Sequence, residues 1–355
     1  MPSKDFATAG GFIYLSGVGP QLAALGDISG QTRSVIERAR AALDAAGSSL
    51  DRVAAVMVYL ASAADFQAMN AVYATFWPKE APTRTTIVTE LATPGALVEM
   101  SMVAVPAGAE WSVIHPEGWL RSPSPYSYAI KSGDTVFLSG LVSRDARDNS
   151  VVTGDVPAQT KVIMEVAGEI LQAAGLTHAN IVSARIYLPE LASFQPMNGA
   201  YRAYFPTAPP ARATVQAALA GPQYDVEITL VASSARREVI DDGGAPNPNL
   251  STGIRAGRRV YLSGALGNTA ATQGNVGAQT RETLARLNRA LAAAGCSPAD
   301  VADALVYVTD LKFVPEVDRE YNAFFGSHEP ARATVRSGLM APDGLVEIML
   351  TAVTP

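Results

Sequence analysis

The sequence predicts an α+β chain of three tandem domains, each a mixed sheet with two helices on one face, packed together around a pseudo-threefold axis. Three observations predict it. The chain repeats itself three times, each copy alternates strand-like with helix-like segments, and two stretches rich in Pro, Gly and charge separate the copies. The repeat is the strongest of these. YLSG at Tyr14 to Gly17 returns as FLSG ending at Gly140 and YLSG ending at Gly264; Gln31-Thr32 returns as Gln159-Thr160 and Gln279-Thr280. Tyr59, Tyr73, Arg84 and Glu99 return as Tyr187, Tyr201, Arg212 and Glu227, then as Tyr307, Tyr321, Arg332 and Glu347, always at offsets of 128 and then 120. The implied domains are 1–107, 118–235 and 245–355, and 355 residues divided by three leave room for this arrangement.

Each copy reads as the same series. The LSG segment is a short apolar strand, and a preceding extended segment pairs with it. A helix follows, with Val35, Ala39, Ala42, Leu43 and Ala46 on one face and Gly47 at the left-handed C-terminal position. Its counterparts carry Val162, Val166, Ile170, Leu171 and Gly175, then Leu284, Leu287, Leu291, Ala294 and Gly295. Runs rich in β-branched residues at 53–60, 182–188 and 301–308 are strands. A second amphipathic helix carries Phe66, Met69, Val72, Tyr73 and Phe76, with Asp65 as its expected N-cap. Two last strands, 84–91 and 98–105, are expected to form a hairpin turning at Thr93-Pro94-Gly95. Strand positions such as Val56, Val58, Ile87 and Val88 are apolar on both faces, so the side of each sheet away from its helices must also be covered.

Composition narrows the function classes. Lys+Arg 27 against Asp+Glu 33 gives a formal charge of −6, which disfavours attraction to a phosphate backbone. The one cysteine, Cys296, forms no intrachain disulfide, and His115, His178 and His328 are scattered without metal-ligand spacing. No apolar run reaches the ~20 residues of a membrane span, and the first residues have no signal-peptide core, so a cytoplasmic protein without nucleic-acid or membrane partners is expected.

Taken together, the SPYSYAI segment, the LSG strand, the Gln-Thr helix ending in AAG, the helix with Asn and Tyr, the P-[AT]-R strand and the Glu fifteen residues later resemble the reactive intermediate deaminase (Rid) family. The resemblance covers the chain outside the two linkers. It implies a Rid-like, chorismate-mutase-like fold whose usual homotrimer is compressed into one chain, a monomeric pseudo-trimer. It also implies hydrolysis of a small imine or enamine acid to a 2-oxo acid and ammonia, without metal or organic cofactor, in clefts between neighbouring copies.

Carried over by position, Arg84, Arg212 and Arg332 would bind the substrate carboxylate, for which a planar guanidinium offers a two-pronged match. Glu99, Glu227 and Glu347 would orient or activate the attacking water. Ser16-Gly17, Ser139-Gly140 and Ser263-Gly264 would line the cleft floor, with Asn70, Asn198, Thr86, Thr214 and Thr334 around the ligand. If the last two strands form a hairpin, Arg84 and Glu99 stand about five residues apart, or ~17 Å, too far to be an internal ion pair.

The copies differ at these positions. Tyr126 supplies the family's tyrosine hydroxyl in the second copy, whereas Phe6 and Leu250 stand at the nearest equivalent positions in the others. The third copy has Asp318 where the others have Asn, a carboxylate that should weaken binding of an anion. At least one cleft, involving Tyr126, is therefore expected to keep full equipment. The competing classes are a small-carboxylate binder without turnover, a pathway-specific enzyme with diverged sites, and a ribonuclease, which the acidic balance argues against.

Overall fold

The computed structural model describes residues 4–21 and 26–355. In the first repeat the order is β1 (Phe6–Ala9), β2 (Phe12–Val18), α1 (Ile28–Ala45), β3 (Val53–Leu60), α2 (Phe66–Phe76), β4 (Thr83–Val88) and β5 (Val98–Ala104). The second contains β7 (Ala129–Ser132), β8 (Thr135–Leu138), α3 (Val156–Ala173), β9 (Ile181–Leu188), α4 (Phe194–Arg202), β10 (Ala211–Gln216), β11 (Ala218–Leu219) and β12 (Glu227–Ser233). The third contains β14 (Gly253–Ala256), β15 (Arg259–Leu262), β16 (Ala265–Leu266), α5 (Val276–Ala293), β17 (Val301–Val308), α6 (Val314–Phe325), β18 (Ala331–Arg336), β19 (Gly338–Leu339) and β20 (Val346–Val353). Both linkers contribute edge strands, β6 (Ser112–Ile114) against β7 and β13 (Arg237–Ile240) against β14.

In the first sheet the strands run β1-β2-β5-β3-β4, with β3 and β4 parallel and β5 antiparallel to both β2 and β3. The expected β4–β5 hairpin is not formed. β3 lies between the two strands, because α2 carries the chain back over the sheet and β4 must then enter parallel to β3. Tyr59 faces both Ile87 and Glu99, so Arg84 and Glu99 are one strand and several residues apart. They remain unpaired within the repeat, for this reason and not for the one the hairpin gives.

The helices pack where the periodicity put them, with one shift. Val35, Ile36, Ala39 and Leu43 of α1 meet Val56, Val58, Met69 and Tyr73 in a single apolar layer. In α3 the buried stripe is Ile163, Met164, Ala167, Ile170 and Leu171, turned one residue from the Val162–Val166 line. Gly47, Gly175 and Gly295 hold φ of 77°, 76° and 71°, the left-handed end that a side chain would strain. Asp65 does not cap α2. A 3-10 turn, Ala63–Asp65, precedes the helix, and Ser62 accepts from Ala64 N in its place.

The opposite face of each sheet is covered by the other two. Met57 and Tyr59, Tyr187 and Ala213, and Leu305, Tyr307 and Ala333 form one buried cluster drawn from all three repeats. Strands also cross the seams: β11 pairs with β4, and β19 with β10. At the third seam the Thr89 hydroxyl donates to the Arg336 carbonyl. Arg259 joins all three repeats, with one guanidinium nitrogen on the Gly10 carbonyl at 2.9 Å and another on Asp134. No helix among the described residues is long and apolar enough to cross a membrane.

Candidate functional site

Strand alternation puts Arg84 and Thr86 on the helix side of the first sheet and Thr85 and Ile87 on the inner side. On the helix side the Arg84 guanidinium lies over the ring of Tyr73 at 4.9 Å and of Phe66 at 5.6 Å, both from α2. Arg212 repeats this over Tyr201 at 5.1 Å and Phe194 at 5.9 Å, and Arg332 over Tyr321 at 4.8 Å. The sequence pattern marks these aromatic supports only as helix-face residues, although each tyrosine stands at the same spacing before its arginine. Arg84 and Arg212 are buried, and burial pulls both guanidiniums below the ordinary arginine range. Arg84 Nη1, and Arg212 Nε and Nη1, are buried without a hydrogen-bond partner, leaving N–H groups for an acceptor to satisfy.

Each arginine strand is gripped by the LSG strand of the next repeat. Ser139 Oγ accepts from Arg84 N at 2.9 Å and donates to the Ser127 carbonyl at 2.7 Å, while Gly140 N donates to the Arg84 carbonyl at 3.0 Å. Ser263 and Gly264 treat Arg212 in the same way, at 2.8 Å and 3.1 Å. Ser16 Oγ accepts from Arg332 N at 3.1 Å. The three serines therefore rivet the seams, and the Gly140 and Gly264 N–H groups are already engaged and are not free donors on a cleft floor.

The glutamate of each cleft comes from the repeat that supplies the grip. Glu227 Oε1 accepts from Thr86 N at 3.4 Å, and Arg84 acts on the Glu227 carboxyl across the seam. Arg212 acts on Glu347 in the same manner. In the third cleft Glu99 lies beside Gly17, whose neighbour Ser16 holds Arg332. Burial raises the Glu227 and Glu347 carboxyls to about 8 and Glu99 to about 7. Gly17, Gly140 and Gly264 are required for this approach. A Cβ on Gly140 would stand 2.0 Å from Glu227 Oε1, with 2.3 Å and 1.9 Å for the equivalents of Gly17 and Gly264.

The three clefts are unequal. In the first, Arg84, Thr86, Gly140, Tyr126 and Glu227 line a cavity of about 460 Å³, within the range of small-molecule sites. Arg84 lies 5.9 Å from the Tyr126 ring. In the third, Asp318 Oδ1 is 2.8 Å from Arg332 Nη1, an ion pair in which neither atom is aligned for a hydrogen bond. The amide atoms of Asn198 are buried without partners, as is Asn70 Oδ1, and so are the hydroxyls of Thr214 and Thr334. Leu250 is the equivalent of Tyr126 in the third repeat, since Ser127 and Ser251 make matching bonds. Phe6 is not an equivalent. It pairs with Leu15 as Ala129 pairs with Leu138, and the residue before Lys4 that matches Tyr126 lies outside the described residues.

The family model described as Endoribonuclease L-PSP matches residues 3–106, 119–234 and 244–354. The chain belongs to this family. Among curated relatives, Reactive Intermediate Deaminase A, chloroplastic, of Arabidopsis thaliana is 38% identical over 109 residues, 31% of this chain and 58% of the relative. The 3-aminoacrylate deaminase RutC of Acinetobacter baylyi is 35% identical over 120 residues, 34% of this chain and 95% of the relative. Such Rid relatives therefore match one repeat at a time. A crystal structure of a chorismatase matches 85% of this chain and 93% of its own, at a TM-score of 0.56 and 15% identity, a likeness of fold across the joined repeats. Among the described residues no group of three His, Cys, Asp or Glu side chains could hold a metal ion.

Proposed function

We propose that the protein hydrolyses a small imine or enamine acid to a 2-oxo acid and ammonia, without a cofactor, in the cleft between its first two repeats. One observation carries this reading: an arginine, a buried glutamate and a tyrosine from two repeats converge on one cavity. The names of the Rid relatives support the reaction class. Arg84 takes the substrate carboxylate with N–H groups that are otherwise unsatisfied. Glu227, with its carboxyl raised to about 8, carries a proton near neutrality. It donates that proton to the imine nitrogen and, as carboxylate, takes one from the water that attacks the imine carbon. The carboxyl so regenerated protonates the carbinolamine nitrogen, ammonia leaves as the carbonyl forms, and the hydroxyl proton returns to the carboxylate. An enamine enters the same path after tautomerising. Tyr126 contributes a hydroxyl beside the arginine.

The test is release of ammonia and pyruvate from 2-aminoacrylate generated in place. The wild-type chain is expected to exceed the uncatalysed rate, and R84A and E227Q to lose most of the excess. A wild-type rate equal to the uncatalysed one, with 2-oxo acids still bound, would leave a binder without turnover.

A further inference from the structure

The cavity holding Arg84 and Glu227 has a second arginine on its wall. Arg144 follows the LSG strand of the second repeat, and its Nε and Nη2 donate to the Tyr224 hydroxyl at 3.2 Å and 2.8 Å. Its Nη1 donates to the Asn149 carbonyl at 3.1 Å. All of these partners are neutral, so the charge of Arg144 is not cancelled by its hydrogen bonds. Asn149 itself adopts a left-handed φ of 62°, part of the turn that the guanidinium closes. The same turn is the feature that sets this repeat apart. The chain between Gly140 and Gln159 is five residues longer than between Gly17 and Gln31 and four longer than between Gly264 and Gln279. Counted from the gapless LSG motif, the positions matching Arg144 are Gln21 and Asn268. Neither of those positions carries a cation.

Tyr126 shares the cavity wall with both arginines. Burial pushes its hydroxyl up; a hydrogen bond with Ser122 and the guanidiniums of Arg144 and Arg84 pull the other way. One ring is thus within electrostatic reach of both arginines, with Ser122, Ser124 and Gln223 adding polar groups to the wall beyond it. With Glu227 holding its proton near neutrality, the cavity presents two cations and little countercharge.

We propose that this cleft takes a dianionic substrate, a 2-imino or enamine acid with a second carboxylate at its far end. Arg84 binds the carboxylate next to the reacting carbon, and Arg144, steadied by Tyr224, binds the distal one. The assignment rests on the reading of Arg84 given above. It separates the first cleft from the other two, which have Gln21 and Asn268 at the position of Arg144.

The experiment is calorimetric binding of stable 2-oxo acids to the full chain: pyruvate and 2-oxobutyrate against 2-oxoadipate and 2-oxoglutarate, with the distal methyl ester of 2-oxoglutarate as a monoanionic control. At least one dicarboxylate should bind ten or more times tighter than the monocarboxylates, and the methyl ester should fall back to their level. R144Q should reduce the ratio to less than two, and R144K should restore most of it, because lysine keeps the charge. An arginine that only staples the 144–151 turn would weaken both classes alike, so an R144Q ratio equal to that of the wild type overturns the proposal. So does a wild-type ratio near one. R84A tells the two readings apart. If it binds every ligand as the wild type does, the arginine site of the previous subsection fails, whatever Arg144 does; if it loses both classes, a failed ratio counts against Arg144 alone.

Discussion

Arg332 Nη1 lies 2.8 Å from Asp318 Oδ1, whereas the residues matching Asp318 in the other repeats are the neutral Asn70 and Asn198. The third arginine therefore already has a carboxylate, and an incoming anion must displace it or share it. Removing the negative charge while keeping the amide found in the sister repeats should open this cleft. D318N is expected to tighten 2-oxo acid binding at the third cleft about tenfold, ~1.4 kcal/mol, and to add one site to the calorimetric stoichiometry. By the same argument R332A should cost the wild type less turnover than R84A. Equal losses for R84A, R212A and R332A would show that Asp318 does not set the clefts apart.

Gly140 controls where the Glu227 carboxylate sits. An alanine there would put Cβ 2.0 Å from Oε1 and 3.0 Å from Thr85 Cγ2, so the carboxylate, the freer of the two, must swing away. The Ser139 hydroxyl and the Gly140 N–H, which bond Arg84 across the seam, are atoms that the substitution leaves in place. G140A is expected to fold with a modest fall in Tm and to lose on the order of 100-fold in kcat, the usual cost of an ångström-scale misplacement. Turnover that stays at the wild-type level in folded G140A would remove Glu227 from the mechanism.

The repeat was legible because its anchors recur without gaps from the Gln-Thr pair onward, which fixes Arg84, Arg212 and Arg332 in one structural position and their glutamates in another. What lies between strands was less legible. Placing β3 between β4 and β5 depends on a helix crossing the sheet, a non-local choice that two adjacent strand-like runs do not reveal. By sequence Phe6 is the nearest equivalent of Tyr126, because no motif precedes LSG in the first copy; only the register of Phe6 against Leu15 corrects it. Arg144 was invisible to self-comparison for the opposite reason. It stands at the start of the one stretch where the second copy has extra residues, and repeats advertise what is shared. Pairing Arg84 with Glu227 follows from neither copy alone, since the two meet only when the seam closes.

The glutamates give the molecule a pH signature in stability as well as rate. Glu227 and Glu347 are raised to about 8 and Glu99 to about 7, in each case first by burial. A carboxyl that holds its proton more tightly in the folded state than in the unfolded chain stabilises the fold fully below the unfolded pKa, about 4.3. That contribution shrinks as pH rises and is gone once the folded group has ionised, above about 8 for Glu227. Glutamine keeps the shape and an acceptor for Thr86 N but never ionises. E227Q should therefore melt at nearly the wild-type temperature at pH 4 and several degrees above it at pH 9, where the wild type carries a buried carboxylate worth up to a few kcal/mol of strain on the fold. Thermal melts of the two proteins across that range check it. If the difference is flat with pH, Glu227 is ionised throughout and cannot supply the first proton. Turnover provides the matching arm: loss of activity as pH climbs past 8 follows from a carboxyl that must begin the cycle protonated, and a rate that keeps rising there would assign Glu227 to base chemistry alone.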